Sequence, residues 1–177
     1  MILMRRLVAA APIAILAITF YSTFRCLHGP NGLRGPVPVH FNMAGKPDAW
    51  GSPNSLWMLP LAALFLYLLM ALVAKFPSAF NYPVRVTPAN RPRLQAIALS
   101  MIAWLQLELV GLFGLIQAMV IGSVTRAAGL HGNSGLPPWL VPVSILVVFA
   151  TIALHVMAMF RAAPPRRIGA RPSDAKR

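Results

Sequence analysis

The sequence predicts an all-α integral membrane protein with four transmembrane helices, arranged as two hairpins and carrying one ordered extracytoplasmic loop. Composition is the first observation behind this reading. Of 177 residues, 58% are hydrophobic and 11% charged, where a soluble domain has roughly 45–50% apolar and about 25% charged residues. The second is distribution: the apolar residues are gathered into four long blocks. The third is charge. A net charge of +13 taken alone fits a nucleic-acid binder, but here the basic residues flank apolar blocks, so the expected partner is the lipid bilayer, with no direct nucleic-acid contact. A single cysteine, Cys26, excludes an intrachain disulfide framework and a Cys-rich zinc site.

Residues 1–6 form a basic N-terminus containing Arg5 and Arg6. The first span, residues 7–24, has 18 residues without a charge. No small-x-small cleavage site follows it, so it reads as an uncleaved anchor and not as a signal peptide. An outer loop occupies residues 25–55, and the second span, residues 56–74, has 19 residues. Ser52-Pro53 supplies its start signal, with proline at the first helical position. Residues 75–93 are a basic loop punctuated by Pro77, Pro83, Pro88 and Pro92, which bars a long helix. The third span, residues 94–122, offers 29 residues and must tilt or protrude, because about 20 helical residues cross a bilayer core. A short outer loop, 123–138, ends in Pro137-Pro138-Trp139, which opens the fourth span of 22 residues at 139–160. Residues 161–177 are basic and proline-containing, and are expected to be a disordered tail.

Lys and Arg in short loops resist translocation. With the N-terminus inside, 12 of the 16 Lys and Arg residues lie in inner segments and 4 in outer ones. Both termini are therefore expected to be cytoplasmic, and Trp50, Trp57 and Trp139 to sit at the outer interface.

The outer loop is too long for a simple connector. Val37 to Phe41 is expected to be extended, Asn42 to Gly45 to turn with a left-handed glycine, and Asp48 to Ser52 to return the chain to the membrane at Trp50. His40, Asn42, Asp48 and Ser52 would then converge on a polar cluster above the bilayer. Imidazole, amide and carboxylate can ligate a divalent ion, but the spacing matches no metal motif. No metal is assigned, and the first reading is a cluster that bonds the loop's own backbone.

The run His40-Phe41-Asn42, Gly45, Pro47-Asp48, Trp50-Gly51-Ser52 resembles the P-x-H-F-N-x-x-G-x-P-D-x-W-G-S pattern of a bacterial membrane domain of unknown function, found in the SdpI family of toxin-immunity proteins. The resemblance is close over about 16 residues and extends over the first helical hairpin. This chain departs in carrying Pro53-Asn54 where the pattern has a lysine, and in being shorter than the six-helix immunity proteins. The resemblance implies a bacterial inner-membrane fold, recognition of an extracytoplasmic peptide, and capture of a cytoplasmic regulator at the membrane.

Inside the spans, Glu108 stands out, since a carboxylate at a helix centre costs on the order of 2.5–3.5 kcal/mol by insertion scales. It is expected to face protein or water. Counting about 1.5 Å per residue places it level with Thr19, Tyr21 and Ser22 of the first span and Ser144 of the fourth, and away from His155. Tyr21 and Ser144 are its expected partners. Gly114, Ala118 and Gly122 at four-residue spacing permit close helix packing within the chain or, alternatively, a homodimer seam. Gln106 and Gln117 lie on the opposite face from Glu108 and read as polar glue. No phosphate loop, Ser-His-Asp frame or paired-Cys motif is present, so no catalytic residue and no cofactor are assigned. The expected function is a non-enzymatic recognition protein; the alternative is a small transporter or channel component working through Glu108.

Overall fold

The computed structural model describes residues 2–30, 32–127 and 135–163. The fold is mostly helical, and among the described residues four helical segments are long and apolar enough to cross a membrane: α1 (Ile2–His28), α2 (Met58–Val73) together with the 3-10 turn Pro53–Trp57 that leads into it, α3 (Arg91–Ala127) and α4 (Leu140–Arg161). Between α1 and α2 the chain forms an antiparallel hairpin of two strands, β1 (Val37–Phe41) and β2 (Pro47–Gly51). The expected outer loop is thus a small sheet on a helical base. Two helices outrun their apolar blocks: α1 carries Cys26 and His28 in its last turns, and α3 is 37 residues long, whereas α2 proper has 16 residues, fewer than its expected span. The tail from residue 164 and His131 in the 123–138 loop lie outside the described residues.

The long helix α3 is the axis of the bundle, with α1, α2 and α4 packed around it. Three apolar clusters mark its length. Val120 and Val124 meet Val37 and Leu56 beneath the hairpin, Val110 meets Leu16 and Ala63 at mid-height, and Leu94 and Ala98 meet Met159 and Ala162 at the opposite end. Outward faces are also apolar, with Ile18, Phe65, Leu146 and Phe149 exposed, as a lipid solvent requires. At Gly114 the small-residue spacing serves packing within the chain: a β-carbon there would stand 2.8 Å from Ile15 Cγ2 and 3.1 Å from Thr19 Oγ1.

Both glutamines act between helices. Gln106 Nε2 donates to the Tyr67 carbonyl at 3.1 Å, and the fully buried Gln117 donates to Thr23 Oγ1 at 2.8 Å and to the Leu56 carbonyl at 3.0 Å. The last bond has a local cause. Proline at position 60 has no N–H to return to the carbonyl four residues earlier, so Leu56 needs a donor from elsewhere, and Gln117 supplies it.

At the opposite end, the α2–α3 connection contains only a short 3-10 turn at Pro77–Ala79. Tyr82 donates to the Pro77 carbonyl at 3.0 Å, and burial pushes its phenol above the ordinary range against the opposing influence of Arg91. Asn90 organises the start of α3. Its side-chain oxygen accepts from Thr87 N at 2.7 Å, while Nδ2 reaches the Arg85 carbonyl at 3.0 Å and the Ala162 carbonyl, just past α4, at 3.4 Å.

Candidate functional site

The hairpin is built from its turn outward. Asn42 Oδ1 accepts from Ala44 N at 3.0 Å and Lys46 N at 3.1 Å, and Gly45 N donates to the Asn42 carbonyl at 2.8 Å. Gly45 adopts φ 74°, the left-handed conformation that glycine takes without a side-chain penalty. Pairing runs from Val37 opposite Gly51 to Phe41 opposite Pro47, with irregular register around His40. Gly51 is tight as well: a β-carbon there would lie 2.7 Å from Val39 Cγ1.

One side of this sheet is anchored. Val37 is fully buried against Leu56, Val120 and Val124, with half-buried Phe41 beside them. The turn itself is held by the segment that leads into α4, since Leu136 N donates to the Gly45 carbonyl at 2.8 Å. The other side is open. His40 Nδ1–H donates to Asp48 Oδ1 at 2.5 Å, with the two side chains 68% and 42% exposed. Met43 at the turn tip is 99% exposed, and Val39 and Trp50 are also exposed.

Of the four polar residues expected to converge, the fold brings together two. His40 and Asp48 pair across the strands, whereas Asn42 spends its side-chain oxygen on the turn. Ser52 precedes the 3-10 turn at Pro53–Trp57 without a side-chain cap bond. Among the described residues, no three His, Cys, Asp or Glu side chains cluster as metal ligands.

The expected partners of Glu108 are corrected. Tyr21 is 65% exposed, and Ser144 donates to its own helix at the Leu140 carbonyl. Glu108 Oε1 instead accepts from Thr151 Oγ1, and its other oxygen is buried without a partner. Counting Cα depths misses this because helical side chains lean toward the N-terminus of their own helix. The antiparallel helices α3 and α4 therefore lean in opposite directions, so side chains that meet need not come from equal Cα depths. His155 stands one turn further along α4. Its Nδ1–H donates to the Thr151 carbonyl at 2.8 Å, which leaves Nε2 to accept from Ser100 Oγ at 3.3 Å. The Leu136 and Thr151 contacts carry no local sequence signal, while the Thr87-x-x-Asn90 reciprocal bonding ahead of α3 could have been read as a helix-start motif.

No curated protein and no solved structure matches the chain. Residues 35–64 match a domain of unknown function, DUF1648. That segment contains both strands, the 3-10 turn and the beginning of α2, so the chain combines four helices apolar enough to cross a membrane with a hairpin segment similar to DUF1648.

Proposed function

We propose that this chain is a non-enzymatic multi-pass protein of a bacterial inner membrane whose hairpin recognises a peptide or other ligand in the envelope, in the manner of SdpI-type immunity or signalling proteins. The observation that carries the reading is the two-sidedness of the hairpin. Val37 and Gly45 fasten one side to the helical base, while His40, Asp48, Met43 and Trp50 are left uncovered by the rest of the chain. A pre-ordered surface binds without the entropic cost of folding a loop around its ligand. The excess of Lys and Arg at the opposite end supports cytoplasmic termini, and the basic segments there are the natural place for a cytoplasmic regulator. The test is survival of susceptible bacteria expressing the chain when challenged with secreted peptide toxins. Protection that is lost in His40→Ala and Asp48→Ala at unchanged membrane abundance is the expected outcome; no protection against any peptide removes the immunity reading.

A second reading rests on the unpartnered Glu108 oxygen within the spans, which suits a transporter or channel component. Proton or ion flux in proteoliposomes that disappears in Glu108→Gln would favour this reading over recognition.

A further inference from the structure

One face of α3 is left uncovered between α1 and α4. Arg93, Ser100, Trp104 and Gly111 follow one another at spacings of seven, four and seven residues, which keeps them on a single face of the helix. Helix α1 meets α3 through Ile15 and Thr19 at Gly114, and α4 meets it at Leu94, Ala98 and Glu108, to either side of this stripe. A cavity of about 520 Å³ lies there, with Val8 of α1 and His155 and Ala158 of α4 completing its walls around Arg93, Ser100 and Trp104. Beyond Trp104 the stripe remains open. A β-carbon on Gly111 would meet nothing within 4 Å, and Leu115 is exposed.

Arg93 has no ion-pair partner among the described residues, where the carboxylates are Asp48, paired with His40 at the hairpin, and Glu108, bonded to Thr151. From this cation the groove passes to the Ser100–His155 hydroxyl–imidazole pair and then to Trp104, Gly111 and Leu115, the apolar residues of the stripe. We propose that the groove binds one anionic phospholipid from the surrounding bilayer, with its phosphate on Arg93, its ester region facing Ser100 and His155, and an acyl chain running past Trp104 to Gly111. The order of polarity along the groove is the order along such a lipid. Ser100 to Gly111 spans about 16 Å at 1.5 Å per residue, close to half of the roughly 30 Å hydrocarbon core. A soluble anion would leave the apolar walls unfilled, and in a zwitterionic lipid the headgroup's own cation competes with Arg93 for the phosphate.

The test uses the full chain in vesicles, with Trp50, Trp57 and Trp139 replaced by Phe so that Trp104 is the remaining fluorophore. Quenching by phosphatidylglycerol brominated on its acyl chains is compared with that by phosphatidylcholine carrying the same chains. The expected result is a preference of about fivefold for the anionic lipid, the worth of one basic side chain near anionic headgroups. Arg93→Gln should bring the ratio to about one and Arg93→Lys should keep it, at unchanged Trp104 emission maximum in unbrominated vesicles. Gly111→Leu, which has room for its side chain, should reduce quenching by both lipids. Equal quenching by the two lipids in the parent protein overturns the proposal. A preference that survives Arg93→Gln assigns it to the general basic charge of that end, and indifference to Gly111→Leu places the acyl chain outside the groove; either result also overturns it.

Discussion

The Gly45 carbonyl accepts from Leu136 N at 2.8 Å, and a β-carbon on Gly45 would stand 1.7 Å from the Leu136 carbonyl oxygen. The hairpin turn and the entry to α4 are thus joined across ninety-one residues of chain at a point where only glycine fits. Gly45→Ala should cost more than the roughly 1–2 kcal/mol of a left-handed alanine, because Leu136 must also move. Limited proteolysis of membrane-embedded protein should show faster cleavage within residues 35–52, with the four helices still protected.

Gln117 tests the polar glue. In Gln117→Leu the Leu56 carbonyl and the Thr23 hydroxyl lose their donor, and a cost of about 1–3 kcal/mol is expected for the orphaned groups. Pro60→Ala restores an N–H four residues after Leu56, so the same glutamine substitution in a Pro60→Ala background should cost less. Unfolding in detergent across this double-mutant cycle measures the coupling.

The Glu108–Thr151 pair should be asymmetric. Thr151→Val removes the partner of Oε1 and leaves the carboxyl group with both oxygens unmet, whereas Glu108→Leu leaves a hydroxyl that can turn to a carbonyl of its own helix. Thr151→Val should therefore destabilise the detergent-solubilised protein more than Glu108→Leu, and Glu108→Gln, which keeps shape and an acceptor, should lie nearest the parent.

Topology is testable at the hairpin tip. Cys26 is half-buried near Val37 and is a poor probe, so it is replaced by Ala and the exposed Met43 by Cys. A membrane-impermeant thiol reagent added outside the inner membrane should label the new cysteine, and a reporter fused after Arg177 should be active only in the cytoplasm. The reverse pattern would place the basic end outside.

The spans were legible because lipid imposes an apolar length that sequence displays directly. The hairpin was legible because its signals are local: prolines and β-branched residues in β1, Asn42 and Gly45 in the turn. Glu108 was legible as a residue needing a partner, but not which one, since that choice depends on the opposed lean of side chains on antiparallel helices. Leu136 gave no sign of its role because its contribution is a backbone N–H, the same in every residue except proline. The Gln117–Leu56 bond lies between these cases: the polar residue and Pro60 were both visible, and only the fold puts them side by side.

If the open side of the hairpin is the proposed recognition surface, its His40–Asp48 pair serves the ligand and is dispensable for folding. A photocrosslinking amino acid placed at Met43 in cells of the native host measures this most directly, read together with the abundance of the chain in the membrane fraction. The expected result is a discrete envelope crosslink that disappears in His40→Ala and in Asp48→Ala while abundance stays at the parent level, because an exposed pair of this kind contributes only about 0–1 kcal/mol to stability. A crosslink unaffected by either substitution, or a loss of crosslink that tracks loss of the chain from the membrane, would contradict it.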